Sequence, residues 1–413
     1  MPHSIPLPLR QVMLKQFQHG HTSAAIAQQL GIPSRTVRHL LQRFAGQEGE
    51  LAPYYERCGR PPKQEPPPVI TAALQLRQQH PTWGAGLIRV ILTNSKKYPA
   101  KQIPCQRTFE RWLARLGEPS APPGRRPEAQ RDRAKHPHEV WEIDAADQMR
   151  LRSGAQASWL RAVDECSGAV LGTVVFSQGN WGQVPPAETQ RVMRDWFQQW
   201  GMPARLRVDN GIPWGSWSDL PPDLALWILG LGIGMIWNPP HQPQENGVVE
   251  RSQGTGKRWA EPKACDNPEE LQQHIDQMDT IQRTSYPVHG LKSRQALYPD
   301  LAHSGRRYTK HWEQRHWNLA PVLAHLAEYA VTRRVDKSGR VSLYNRGYYV
   351  GAIHQGKTVY VMFDADTSEW LFADEEGRHL NRQQSKEITP SRIQSLSVTR
   401  RPPIPRRQKR KPK

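Results

Sequence analysis

VWEIDAADQMRLRSGAQASWLRAVDECSGAVLGTVVF, residues 140–176, decides the fold. Residues 140–151, 158–164 and 169–176 are strand candidates, with Gly, Ser and Asp between the runs. Downstream the pattern predicts a helix over about 186–200, a short strand from Arg205 to Asp209 and a helix over about 221–229. A strand over 233–237 and a helix from about 244 complete the unit. Three sequential strands followed by alternating helices and strands predict a mixed sheet covered on both faces, here over 139–300.

On the C-terminal side, VTRRVDKSGRVSLYNRGYYVG, KTVYVMF and EWLFADEEGRHL alternate apolar and polar, with Gly-containing turns. Short strands at this spacing predict a small β-barrel over 328–390. The tail, 400–413, holds eight basic and no acidic residues, a composition suited to a polyanion or a partner.

On the N-terminal side lie two helical units. Residues 8–50 place Val12, Leu14, Phe17, Ala24, Ile26, Ala27, Leu30, Val37, Leu40, Leu41 and Phe44 at mostly helical spacing. Thr22 and Ser23 can cap one helix, Gly31 can end it, and Pro33 and Ser34 can open the next. Helix, short Gly turn, helix is the helix-turn-helix pattern. In the second helix Val37, Leu40, Leu41 and Phe44 face inward, leaving Arg35, Arg38, His39 and Gln42 outward for a major groove. Residues 69–117 repeat the theme. In QRTFERWLARLG, Phe109, Trp112, Leu113 and Leu116 face inward, while Arg107, Arg111 and Arg115 share another face. Reading by both units, or a merely structural second unit, are the alternatives. Pro-rich 58–68 and the basic, Pro-rich 118–138 read as linkers.

Of 413 residues, 57 are Lys or Arg and 38 Asp or Glu, a net charge of +19. So basic a chain suits nucleic acid or an anionic surface. The longest apolar stretch, Ala225–Trp237, is 13 residues with three glycines, too short to span a membrane. It fits a buried helix turning into a buried strand. The N-terminus lacks the apolar core of a secretory signal. Cys58, Cys105, Cys166 and Cys265 lie far apart, which argues against a disulfide scaffold or a zinc finger and suits a reducing cytoplasm.

Three carboxylates stand out by position. Asp144 lies on the first core strand, and Asp209 ends a short strand before a Gly. Glu250 lies in NPPHQPQENGVVERSQGTGKR, about two turns into the predicted helix. Strand ends and the start of a following helix are where an α/β sheet gathers functional groups. Gathered carboxylates repel and their pKa values rise, unless divalent cations such as Mg²⁺ or Mn²⁺ offset the charge. Two such ions roughly 3.5–4 Å apart can serve phosphoryl transfer.

WEID, VDNG and HQPQENGVVER in this order resemble the catalytic core of DDE transposases and retroviral-type integrases, most closely the bacterial insertion-sequence transposases. The flanking units match that architecture, the C-terminal one resembling the β-barrel of phage Mu-like transposases. The resemblance implies a ribonuclease-H-like fold and a DDE triad of Asp144, Asp209 and Glu250 holding two Mg²⁺ or Mn²⁺ ions. It implies cleavage at element ends followed by strand transfer into target DNA, by a multimer assembled on double-stranded DNA at a bacterial nucleoid. The spacing between Asp209 and Glu250 slightly exceeds the family's, and the surplus falls in PWGSWSDLPPD, 213–223. An ATPase partner occurs in some Mu-like systems, but nothing in the tail singles one out.

Several neighbours compete. Asp147, three residues past Asp144, should face the opposite side of the strand. Asp164 reads as a turn residue, and Glu245 as a partner of the helix dipole. Lys257 lies two helical turns beyond Glu250, on the same face, where similar integrases present a Lys to DNA. Arg251 suits an acid or phosphate at the core surface. His241 fits a loop role or a phosphate-positioning role equally. Trp141, Trp196, Trp200, Trp227 and Trp237 read as core; Trp214 and Trp217 fit loop packing better than base stacking. Two rivals to a transposase remain: a non-catalytic DNA-binding protein derived from one, and a structure-specific nuclease on the same fold.

Overall fold

The structure, a computed structural model, describes residues 5–45, 65–118, 133–178, 184–215, 219–239 and 243–400. The chain divides into two compact units, 1–66 and 67–413.

The first unit holds α1 (Leu7–Gln18), α2 (Ser23–Leu30) and α3 (Ser34–Ala45). The Thr22 hydroxyl accepts from the Ala25 amide at 3.3 Å and caps α2, and Gly31, at φ +67°, ends it. Both are the sequence's own start and stop signals. Met13, Ile26, Val37, Leu40, Leu41 and Phe44 form the core. Val12 and Phe17, expected inside, are exposed. Arg10 and Met13, one helical turn apart, form the buried stripe of α1, and Val12 lies about 100° around from Met13.

The second unit begins with α4 (Pro68–Gln79), α5 (Ala85–Asn94) and α6 (Gln106–Arg115). Their core of Ile70, Ala73, Leu87, Ile88, Phe109 and Leu113 does not close on itself. It continues into Met278 and Ile281, with Trp259 and Tyr286 packed against it. Leu116, expected inside, is exposed, because α6 stops at Arg115 and leaves it past the helix end.

The mixed α/β core follows: β1 (Val140–Arg150), β2 (Gln156–Asp164), β3 (Val170–Gln178), α7 (Pro186–Trp200), β4 (Arg205–Val208), α8 (Asp223–Gly230), β5 (Gly234–Trp237), α9 (Gly247–Ala260) and α10 (Pro268–Thr284). The sheet order is β3-β2-β1-β4-β5. The first three strands pair antiparallel; β1 with β4, and β4 with β5, pair parallel. One face carries Trp141, Ile143, Leu160, Leu206 and Val208 into a core with α7 and α8. Alternation turns Glu142, Asp144, Trp159 and Arg161 to the other face, under α9 and α10. Trp141, Trp196, Trp227 and Trp237 are buried and Trp200 half-buried, as their apolar settings predict.

A short ladder of β6 (Pro287–His289) and β7 (Lys292–Ser293) leads to α11 (Arg294–Leu297), α12 (Lys310–His316) and α13 (Ala320–Ala327). The C-terminal part is not a closed barrel. Its strands are β8 (Ala330–Arg334), β9 (Arg340–Leu343), β10 (Arg346–Tyr349), β11 (Thr358–Asp364), β12 (Glu369–Ala373) and β13 (His379–Gln384). They form an open antiparallel sheet, β13-β12-β11-β8, and a separate β9–β10 hairpin. Where a ladder between β10 and β13 would close the circle, side chains intervene. The amides of Asn381 and Gln383 both donate to the Tyr349 carbonyl at 2.7 Å. The buried Glu387 carboxylate accepts from the Trp370 indole at 2.8 Å and from the Tyr348 hydroxyl, wedging the segment after β13 between sheet and hairpin. The last described helix, α14 (Pro390–Gln394), packs against α8. The hydrophobic cluster of the core runs unbroken from Trp141 to Val398.

No helix among the described residues is long and apolar enough to cross a membrane.

Candidate active site

The acidic site is built on two adjacent parallel strands. Glu142 on β1 is level with Arg207 on β4. Carried two residues further, that register sets Asp144 level with Asp209, just past the end of β4. Hydrogen bonds at the strand end hold Asp209. The Asn238 amide donates to the Val208 carbonyl at 3.1 Å, and the Asn210 side chain donates to the Asn238 carbonyl. Gly211 and Gly215 close a small bridge beyond it.

Helix α9 supplies the third acid. Its N-terminus is fixed by Glu142, fully buried on β1, whose carboxylate accepts from the amides of Val248 at 3.1 Å and Val249 at 2.8 Å. A carboxylate on the first amides of a helix satisfies orphan donors and complements the dipole. Glu250 follows immediately. It lies in the first turn of α9, not two turns in, because residues 243–246 form a separate 3₁₀ turn and α9 starts at Gly247. Glu245, in that turn, is buried.

Asp144 senses both of the other acids. Burial pushes the Asp144 carboxyl up to about 7, with the Asp209 charge next in importance and Glu250 adding to it. Asp209 is raised as well, by desolvation. Gln253, one turn beyond Glu250, donates to the Asp144 main-chain carbonyl at 3.2 Å and approaches its carboxylate at 3.5 Å. The Trp159 indole in turn donates to Gln253 and fixes its orientation. No arginine, lysine or histidine among the described residues forms an ion pair with any of the three acids. Nor do any three His, Cys, Asp or Glu side chains among them stand in a geometry that would grip one metal ion as they are.

A buried network clamps α9 to the sheet. Arg161 on β2, level with Asp144, pairs with Asp279 of α10 and donates to Thr173 at 2.9 Å and to the Ser252 carbonyl at 2.6 Å. Gly256 makes room for it, since a Cβ there would collide with the Arg161 guanidinium.

The other expected residues fall as follows. Asp164 is a buried turn residue, accepting from the Ser167 amide at 2.8 Å and the His138 amide at 2.6 Å. Asp147 does not face away from α9. An irregularity between Ala146 and Met149 breaks the alternation, and Asp147 lines a cleft of about 660 Å³ together with Lys257. Lys257 is exposed on α9, two turns beyond Glu250. Arg35, Arg38, His39 and Gln42 are all exposed on α3, as are Arg107 and Arg111 on α6. The six cationic or polar DNA candidates of α3 and α6 therefore lie on the outer faces that the spacing predicts. Trp214 is buried, and its carbonyl accepts from the Trp237 indole at 2.9 Å. The loop around it is tied down by the Asp219–Arg333 ion pair and by the Tyr344 hydroxyl on the Pro221 carbonyl at 2.8 Å. Trp217, His241 and most of both linkers lie outside the described residues.

Glu142 and Gln253 are the positioning groups that sequence reasoning missed. The signal for Glu142 was its spacing of two from Asp144, which sets both on one strand face; nothing local marks Gln253.

Comparison with known proteins bears on both ends of this description. Residues 7–52 match the Homeodomain-like domain family. The Pol-related polyprotein of the mouse intracisternal A-particle MIA14 is 23% identical over 198 residues, 46% of this chain and 21% of the relative. The chain thus spans about a fifth of that relative's length. Among solved structures, a chain of the simian T-cell lymphotropic virus intasome in complex with PP2A regulatory subunit B56 gamma aligns over 76% of this chain and 96% of its own. Its identity is 16% and its TM-score 0.34. The catalytic core domain of BIV integrase aligns over 40% and 95%, at 17% identity and TM-score 0.30. That of HTLV-2 integrase, in complex with magnesium, aligns over 41% and 98%, at 18% and 0.30.

Proposed function

We propose that this chain is a DNA transposase: it binds the ends of its element, cuts the 3′ strand there and joins the freed end to target DNA. One observation carries the reading. Asp144 on β1 and Asp209 just past the end of β4 lie level on adjacent parallel strands, with Glu250 in the first turn of the helix beside them, and the Asp144 carboxyl, raised to about 7 chiefly by burial, also feels the charges of both other acids.

Such an oxygen-only donor set suits Mg²⁺ or Mn²⁺, and Asp144, Asp209 and Glu250 would be the residues that hold the two ions. Bound there, the metals would supply charge neutralisation at the attacking and leaving oxygens. The chain's own residues have separate tasks. Glu142 sets the start of α9 and hence the position of Glu250. Gln253 orients Asp144. Lys257 offers a cation to a DNA phosphate beside the acids. Arg35, Arg38, His39 and Gln42 read a major groove from α3, and Arg107 and Arg111 do so from α6. In the reaction, water attacks the phosphorus at the element's 3′ end and displaces the element's 3′-oxygen, leaving a 3′-hydroxyl on the element and a 5′-phosphate on the flanking strand. That hydroxyl then displaces a 3′-oxygen in target DNA, so one phosphodiester forms as another breaks. Pairing of two ends implies a homo-multimer on DNA.

The test is joining of labelled element-end DNA to a plasmid with Mg²⁺ or Mn²⁺, comparing wild type with Glu250→Gln. Joining by wild type, lost by at least 100-fold in the variant with end binding retained, is the expected result. Tight binding without any cutting by wild type would replace the reading with a non-catalytic DNA-binding protein. Cutting without joining would replace it with a nuclease.

A further inference from the structure

Helix α9 has a second working face. Glu250 and Lys257 point toward the acidic site, but Val248, Arg251, Ser252, Thr255 and Trp259 line a separate cavity of about 410 Å³ behind it. Five guanidinium groups reach this cavity, from Arg133, Arg161, Arg251, Arg258 and Arg294, against a single carboxylate, Asp279. That carboxylate is already taken by Arg161. Among the described residues no acid forms an ion pair with Arg251, Arg258 or Arg294.

The cavity also holds unused donors. The Arg294 Nε and the Ser252 hydroxyl are buried there without a hydrogen-bond partner. Burial lowers the Arg294 pKa, and the groups that oppose this are the hydroxyls of Tyr286 and Tyr298, with no carboxylate among them. Arg294 is desolvated with no acid beside it, which is costly unless an anion joins it, the exposed Arg251 and Arg258 stand at the same cavity, and the guanidinium fork matches phosphate oxygens in pairs.

The position of the cavity says which anion. Its Tyr286 wall meets the start of α6: the Tyr286 hydroxyl and the Gln106 side chain both crowd against Gly86. The cavity thus borders α6, the helix that carries the exposed Arg107 and Arg111, and its wall offers Trp259 and Tyr286 as flat surfaces.

We propose that this cavity binds the phosphodiester backbone of DNA, as a second DNA contact on the opposite side of α9 from the acidic site. The proposal rests on the DNA-processing reading above. Arg161 lines the cavity and holds the Ser252 carbonyl, so a strand seated there bears directly on the helix that carries Glu250.

The experiment is arginine-selective labelling of the full chain with phenylglyoxal in EDTA, with and without duplex DNA, read by mass spectrometry. Arg35 and Arg38 report DNA binding as such. The expected result is protection of Arg251 and Arg258 along with Arg35 and Arg38 by duplex, and no protection by thymidine monophosphate at equal phosphate concentration. Protection of Arg35 and Arg38 alone would overturn the cavity assignment and leave the functional reading standing. Equal protection of the cavity by the mononucleotide would make it a site for small phosphate esters instead. No protection anywhere would sink the functional reading and the cavity with it. As a second measurement, Arg251→Gln with Arg258→Gln, both surface changes on α9, should flatten the slope of log affinity against log salt by about two, since each phosphate contact contributes about 0.9. An unchanged slope would overturn the proposal.

Discussion

The two helical units at the N-terminal end look alike in sequence and differ in how they are completed. Each has three short helices, and each ends on an amphipathic helix with arginines outward. The first closes its core on itself: Met13, Ile26, Val37 and Phe44 bury one another. The second does not. Trp83 donates to the Trp259 carbonyl at 2.9 Å, His80 contacts the Glu261 carboxylate at 2.7 Å, and Ile70 and Phe109 share a core with Met278 and Ile281. Glu261 also accepts from the Thr82 hydroxyl at 2.5 Å. The partners all sit on α9 and α10, the two helices that cover the acidic face of the sheet. A helical pattern thus states that a unit has an apolar face, but not whether its own helices cover it.

The largest effect expected from this contrast is on folding. Removing residues 1–66 should leave the thermal transition of 67–413 in place. Removing 67–118 as well uncovers Met278, Ile281, Trp259 and Tyr286, and should lower Tm by on the order of 10 °C, at about 2–4 °C per kcal/mol. Equal calorimetric transitions in the two truncations would break the comparison.

Point changes sharpen it. Trp83→Ala should cost about 3–5 kcal/mol in urea denaturation and shift the transition of the whole 67–413 unit. Leu41→Ala, costing about 2–5 kcal/mol, should weaken only the first unit and leave the main transition where it is. A shared shift for Leu41→Ala would mean that the first unit is no more independent than the second.

Smaller effects follow from single polar groups. Glu261→Gln removes a charged acceptor from His80 and Thr82 and should cost about 1–2 kcal/mol in the larger unit. Thr22→Ala removes the cap of α2 and should cost about 1 kcal/mol in the smaller one. Amide hydrogen exchange resolves both, with faster exchange in α4 and α9 for the first change and in α2 for the second.

The same distinction governs what was legible elsewhere. The strands of the core sheet were legible as short runs between turn residues, and β5 as the end of an apolar run, because both sheet faces are covered and such runs are local features. The acids Asp144, Asp209 and Glu250 were legible for a related reason: a polar position within a strand, a strand end and a helix start are local features. Glu142 was not. In WEID it occupies the polar half of an alternating strand, which reads as solvent-facing until α9 is laid across it. The open sheet of the C-terminal part was equally hidden, since alternation predicts strands but not which edges pair. There Asn381 and Gln383 meet the hairpin through side chains rather than a ladder, and β8 and β9 form no ladder either.

The sequence by itself determined the short runs of the strands and helices, the caps of α2, the outward arginines of α3 and α6, and the placing of carboxylates on a strand, at a strand end and at a helix start. These depend on neighbours within a few residues, whose geometry the backbone sets. Tertiary structure alone decided that α4–α6 lean on α10, that Glu142 seats α9, that Trp214 is buried and that an arginine-lined cavity lies behind the acidic site. Each of these joins residues distant in the chain. Burial, desolvation and ion pairing there depend on what another segment brings into contact, and no local spacing records that.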